Sequence, residues 1–306
     1  MPAPFTPIIG RFAPSPSGPL HQGSLVAAIG SYLSAKAQGG QWLLRMEDID
    51  HHRCRPAAVG QIQRQLAALA LEWDGEILFQ SQRRERYREV LNELRDRGLA
   101  YACGCTRQSL LATAGQCPCL HHPPAQARSF RLAIPKDCLT DWQDRYQGVQ
   151  KATYPHLAPV LQRADGPYAY LLANVVDDAD QGISEVIRGA DLLDLTPIQQ
   201  FLQGQLHYPR PHYGHLPVVL GPDGKKLSKS RGDHDQSNPS WAWERTLALL
   251  GWEIPRELVG SPPMLWRDWA LQRCLQGQKM LARSFGSPPH EPIPYPDCKQ
   301  SQELHP

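Results

Sequence analysis

No apolar run in the 306-residue chain approaches the roughly 20 residues that a membrane span requires. The opening MPAPFTPIIG has no basic segment followed by an apolar one, so no export signal is read there and a cytoplasmic protein is expected. Net charge is also scarce: 32 Lys and Arg stand against 30 Asp and Glu, a balance of +2. That excludes a uniformly basic surface, so any nucleic-acid contact has to be local. Membrane and fibrous classes fall away. A chain of this length buries a substantial core, divided between about two structural units.

What is present is unevenly placed. Of eight cysteines, Cys103, Cys105, Cys117 and Cys119 are crowded together, while Cys54, Cys138, Cys274 and Cys298 are scattered. Without an export signal, clustering favours a metal over disulfides. Cys103-Gly104-Cys105 and Cys117-Pro118-Cys119-Leu120-His121-His122 offer more than the four ligands of a tetrahedral zinc, which leaves the fourth ligand open.

The stretch from Arg11 to Ser24, RFAPSPSGPLHQGS, lies between the apolar run Pro7-Ile8-Ile9, read as a strand, and an amphipathic helix. That helix carries Leu25, Ala28, Ile29, Tyr32 and Leu33 and stops at Gly39-Gly40. The prolines and Gly18 keep the loop irregular, and Gly23 lets backbone approach a ligand. The helix start aims N–H groups and a positive dipole end into the loop, with His21 beside it. Such an end suits an anion, most readily a nucleotide phosphate. Far downstream, Gly221 to Gly232 (GPDGKKLSKSRG) sets Lys226, Ser228 and Lys229 on a glycine-bounded loop suited to phosphates.

Between them, Gln41 to Glu47 reads as a second strand ending in the acidic run Glu47-Asp48-Ile49-Asp50, and helices follow over Val59 to Leu69 and Tyr87 to Leu94. The continuous aromatic and β-branched run Tyr168 to Val176 reads as a central strand, with Asp177-Asp178 as a turn. Ile183 to Gly189 reads as another strand, delivering Arg188 at its carboxyl end. Thr196-Pro197 reads as a helix start and His215 to Leu220 as the strand into the lysine loop. Alternating strands and helices predict an α/β protein, a doubly wound Rossmann-like parallel sheet with its ligand at the carboxyl ends of the strands.

PSPSGPLHQGS and KLSKS together resemble the two signatures of class I aminoacyl-tRNA synthetases, in the form used by the glutamyl branch. LLRMEDID, YAYLLANVVDD and GISEVIRGADLL extend the likeness from about residue 8 to residue 232. The short length points to the truncated glutamyl-Q paralogues. The resemblance implies ATP with Mg²⁺ and one structural zinc. It places His21 and Lys229 in catalysis, and Gly23, Lys226 and Ser228 with them around ATP. Arg11, Ala13, Ser15, Glu47, Tyr170 and Arg188 fall at glutamate-binding positions, and Cys103, Cys105, Cys117 and His121 at the zinc ligands, with Cys119 as the alternative. Ser24 stands where many synthetases carry His or Asn.

On this likeness we expect residues 1–98 and 163–235 to form the two halves of the catalytic domain, the second with the lysine loop. The stretch 99–162 is expected to be an inserted connective region with the zinc site. A short helical region, 236–286, containing Trp241, Trp243, Leu247, Leu250 and a patch from Met264 to Leu281, and a mobile tail, 287–306, complete the expectation. About 70 residues follow the lysine loop, too few for the helical anticodon-binding half of a full glutamyl-tRNA synthetase. The implied reaction is activation of L-glutamate and its transfer to queuosine in the anticodon loop of tRNA(Asp), by a monomer. Two alternatives are a minimal glutamyl-tRNA synthetase charging a 3′ end and a silent RNA-binding paralogue.

Overall fold

A computed structural model describes residues 7–50, 52–113, 117–135, 138–139, 141–152, 158–218 and 239–280. The first strand, β1 (Ile9–Phe12), runs further than the apolar run Pro7 to Ile9 suggests. It continues through Gly10, where an added Cβ would stand 3.0 Å from the Ala35 methyl, and through Arg11, buried by an ion pair rather than by apolarity. Helix α1 (Gln22–Lys36) follows, with His21 as its N-cap. Strand β2 (Gln41–Met46) pairs parallel to β1, Ile9 opposite Gln41. Helix α2 (Pro56–Ala68) begins on proline, whose missing N–H is no loss in a first turn. The short β3 (Leu78–Phe79) extends the parallel sheet beyond β2, and α3 (Arg84–Asp96) ends near Gly98 as the periodicity predicts.

The cysteine-rich stretch departs from this pattern. Strands β4 (Ala100–Cys103), β5 (Ser129–Leu132) and β8 (Val160–Gln162) form a separate antiparallel sheet, with the short helix α4 (Arg107–Ala112) after β4. Within the same stretch, β6 (Trp142–Asp144) and β7 (Gly148–Gln150) make an antiparallel hairpin.

Tyr168 to Val176, expected as a strand, is instead the start of helix α5 (Tyr170–Asp180). A continuous apolar run does not distinguish a buried strand from a buried helix. Here every residue from Leu171 to Asp178 is buried, so the helix shows little polar face in its first two turns. Asp177 and Asp178, read as a turn, lie inside it. Strand β9 (Glu185–Gly189) then pairs parallel with β10 (His212–Leu216), and helix α6 (Thr196–Gln205) connects them. The two parallel groups meet where Ser184 donates its N–H to the Ile9 carbonyl at 3.0 Å, setting β1 beside the start of β9.

Helices α7 (Pro239–Leu249) and α8 (Pro263–Leu275) close on α1. Trp243 and Trp266 are fully buried, and the Trp243 indole donates to the Leu69 carbonyl at 3.0 Å, whereas Trp241 remains exposed. One core cluster joins α1, β1, β2, α7 and α8; a second joins α3, α5 and α6. Among the described residues no helix is long and apolar enough to cross a membrane. The lysine loop, Leu220, Leu281 and the tail 287–306 lie outside the described residues.

Candidate active site

The chain between β1 and α1 is pinned at several points. The Glu47 N–H donates to the Pro14 carbonyl at 3.0 Å, the Arg55 N–H to the Pro16 carbonyl at 2.8 Å, and the Leu20 N–H to the Gln65 side chain at 2.7 Å. These bonds hold an irregular, proline-rich segment in one shape, and with the carboxyl ends of β9 and β10 it walls a cleft of about 580 Å³. Arg11, Ala13, Ser15, His21, Gly23, Tyr170 and Arg188, all singled out in the sequence, line this one cleft. Pocket placement at strand ends follows from a parallel sheet.

His21 Nδ1 accepts the Ser24 N–H at 3.2 Å, and its Nε2 stands 3.3 Å from the Ser24 hydroxyl. The ring lies so close over the helix start that a Cβ on Gly23 would come within 3.1 Å of it. With Nδ1 an acceptor, a neutral ring carries its proton on Nε2.

Two arginines, Arg11 in the cleft lining and Arg45 behind it, share one carboxylate. Arg11, 3% exposed, donates Nε to Asp178 Oδ1 at 3.2 Å. Fully buried Arg45 donates to the same oxygen and to Asn174 Oδ1, each at 2.7 Å. Burial alone would raise the Asp178 carboxyl; Arg45 and Arg11 hold it below the ordinary carboxylate value. At Glu47 the balance reverses: burial raises its carboxyl despite Arg45, Asn174 and Arg11. Its Oε2 accepts from Ser15 at 3.4 Å, while Oε1 is shut from solvent without a hydrogen-bond partner among the described residues.

Arg188 is placed differently. Only 5% exposed, its guanidinium donates to His215 Nε2 at 3.0 Å, Thr196 Oγ1 at 3.0 Å, the Leu192 carbonyl at 3.3 Å and the Tyr170 hydroxyl at 3.4 Å. All four are neutral acceptors. Among the described residues no carboxylate lies within salt-bridge reach of it. A buried guanidinium so held is a ready receptor for an anionic ligand.

Four thiols form a second centre. Cys103, Cys105, Cys117 and Cys119 have their sulfurs within 4.8 Å of one another. The Arg131 Nε and the Cys105 N–H point at Cys103 Sγ from 3.1 and 3.3 Å. His121, expected as the fourth ligand, stands outside this group, and the alternative Cys119 takes its corner. The turn Pro118–Leu120 buries Cys119 and leaves His121 exposed.

Residues 7–123 and 121–254 match the family described as tRNA synthetases class I (E and Q), catalytic domain. The chain is 45% identical over 282 residues to the glutamyl-Q tRNA(Asp) synthetase of Thiobacillus denitrificans, covering 86% of this chain and 91% of that protein. It is 49% identical over 267 residues to the protein of that name from Pseudomonas putida, covering 83% and 88%. The chain belongs to the glutamyl-Q tRNA(Asp) synthetase family. It is therefore an enzyme of the ligase kind. A solved glutamate–tRNA ligase from Elizabethkingia meningosepticum, in complex with its amino acid, superposes with a TM-score of 0.62 at 26% identity over 76% of this chain. The chain spans about half of that ligase's length, 53%.

The contacts of the cleft residues bring in others that motif reading passed over. Asp178, Asn174, Arg45, His215 and Asp144 all stand behind the named ones. Tyr170, Asn174 and Asp178 are spaced by four, so reading their segment as a helix would have put all three on one face. Asp144 gave no comparable signal, because it reaches His215 from β6, far away in the sequence. Lys226, Ser228 and Lys229 lie outside the described residues.

Proposed function

We propose that this chain activates L-glutamate with ATP and transfers it to the queuosine base of tRNA(Asp), on a doubly wound Rossmann-like frame. The observation that carries the glutamate half is Arg188, a buried cation with only neutral partners among the described residues, facing the same cleft as Arg11 and the His21 helix start. A neutral side chain would leave that charge unanswered, whereas a substrate carboxylate completes it. Arg11 and Arg188 take the substrate's two carboxylates, Tyr170 donates a hydroxyl, and Glu47, with its unpartnered Oε1, receives the ammonium. Ala13 and Ser15 supply the loop wall.

In activation, a glutamate carboxylate oxygen forms a bond to the α-phosphorus of ATP and the bond to pyrophosphate breaks. Charge grows on the phosphate oxygens, so positioned donors and cations carry the catalysis. His21, the backbone N–H groups at Gly23, and Lys226, Ser228 and Lys229 serve the phosphates; Mg²⁺ supplies further charge neutralisation when bound. In transfer, a queuosine hydroxyl oxygen bonds to the glutamyl carbonyl carbon, the bond from that carbon to the AMP phosphate oxygen breaks, and AMP leaves with the hydroxyl proton released. A single unpaired anticodon-loop base suits a concave site of this size.

The cysteine cluster fits zinc by its donor set and spacing. Held by Cys103, Cys105, Cys117 and Cys119, the ion would tie the loop after β4 to the turn at Pro118.

The test is glutamate-dependent ATP–pyrophosphate exchange without RNA and then with tRNA, followed by transfer of labelled glutamate to queuosine-containing tRNA(Asp). Exchange without RNA and label on the wobble base are the expected results. Exchange only with tRNA and label at the 3′ end would overturn the reading in favour of a minimal charging enzyme. No exchange in either condition would overturn it in favour of a silent paralogue.

A further inference from the structure

Asp144 lies at the end of β6, in the β6–β7 hairpin, and is fully buried against β10. Its Oδ1 accepts three backbone N–H groups, those of Tyr146, Gln147 and His215, each at 3.0 Å. Its Oδ2 stands 2.5 Å from His215 Nδ1. On the far side of the imidazole, Nε2 meets the Arg188 Nε–H at 3.0 Å. An N–H donor on Arg188 requires an acceptor at Nε2, so His215 carries its proton on Nδ1, facing Asp144.

We propose that Asp144 and His215 are positioning residues for substrate recognition: the carboxylate fixes the imidazole tautomer that orients the Arg188 guanidinium toward a glutamate carboxylate. This rests on the reading of Arg188 as a glutamate ligand. The imidazole also stands between Arg188 and Asp144, keeping the acid from pairing directly with the guanidinium and neutralising it. The Tyr213 ring lies nearly parallel to the imidazole, with centroids 6.3 Å and planes 6° apart, and beneath the Arg188 guanidinium at 5.2 Å, so one ring flanks both groups. Burial first, and Arg188 second, depress the His215 pKa against the pull of Asp144, in keeping with a ring that stays neutral.

Asp144→Asn gives a sharp consequence. The three backbone N–H groups fix the side-chain oxygen at the Oδ1 position, so the amide nitrogen must occupy that of Oδ2 and donate to His215 Nδ1. The proton then sits on Nε2, opposed to the Arg188 Nε–H, donor against donor. The same exchange beside the triad histidine of serine proteases acts in this way, by imposing the wrong tautomer while leaving the geometry intact.

The experiment is ATP–pyrophosphate exchange with KM read separately for glutamate and ATP. The proteins are wild type, Arg188→Ala, Asp144→Asn, His215→Gln and His215→Leu, each checked for native folding by circular dichroism. Asp144→Asn and His215→Leu are expected to raise the glutamate KM about tenfold or more, with the ATP KM held within about twofold. His215→Gln, whose carboxamide oxygen stands in for Nε2, is expected to recover most of the loss. If Arg188→Ala raises the glutamate KM and the other variants do not, this proposal is overturned while the pocket reading stands. If Arg188→Ala leaves it unchanged, the pocket reading fails and takes the proposal with it. Parallel rises for glutamate and ATP would mark a merely structural role and also overturn it. Should Asp144→Asn not fold, the His215 pair decides: loss in Leu with rescue in Gln upholds the proposal, and equal loss in both defeats it.

Discussion

His21 and Ser24 are tied twice, through the imidazole Nδ1 and the Ser24 N–H and through Nε2 and the Ser24 hydroxyl. One side chain thus caps α1 and, with Ser24, lines the cleft. His21→Ala should abolish glutamate-dependent exchange and lower stability by about 1 kcal/mol through the lost cap. His21→Asn, a good cap without the ring, should keep stability and still lose exchange. Retained exchange in the Asn variant would remove His21 from the phosphate chemistry.

Asp178 is the carboxylate shared by Arg11 and Arg45. Asp178→Asn leaves two buried guanidiniums facing a neutral amide, and should cost about 3–5 kcal/mol in urea unfolding near neutral pH. The folded pKa of Asp178 is depressed, so its contribution is complete above the unfolded carboxylate value of about 4 and is lost as pH falls from there through the lower folded value. The stability gap between wild type and variant should therefore shrink on the acid side. A gap constant across that window would show that the carboxylate charge is not what stabilises.

Gly30 on α1 faces Leu216 on β10, where an added Cβ would come 2.4 Å from a Leu216 methyl. Both lie in a close-packed core, so Gly30→Ala gains helix propensity but overpacks, with a net loss of about 1–3 kcal/mol expected in thermal unfolding. Gly30→Ala with Leu216→Val should recover part of it. An alanine variant as stable as wild type would show that Leu216 moves at no cost.

Zinc analysis of the purified protein should find about one ion per chain, lost on Cys119→Ser and kept on His121→Ala. The reverse outcome would restore His121 as the fourth ligand.

Much of the frame was legible because the signals were local. Pro56 and the spacing Val59, Ile62, Leu66 gave α2, and Gly98 marked the end of α3. The loop from Arg11 to Ser24 was marked as irregular by its prolines and glycines, and it lines the cleft. The segment Tyr168 to Val176 misled, because burial on all sides erases the periodicity that separates helix from strand. Thr196 begins α6, as its pairing with Pro197 indicated, and its hydroxyl accepts from Arg188, a contact that the sequence did not suggest. Asp144 was out of reach altogether, since nothing local in a sequence says that a residue 71 positions before His215 will lie against it.

Asp144 also has a bearing on how this chain can be cut. By sequence it belongs to the cysteine-rich stretch, while its carboxylate holds His215, which in turn bonds the cleft residue Arg188. A shortened chain lacking 99–162 would discard the zinc-type cluster and, with it, the anchor of His215. Residues 99–162 are therefore not separable from the contacts that support the cleft: the β6–β7 hairpin holds the histidine that bonds Arg188.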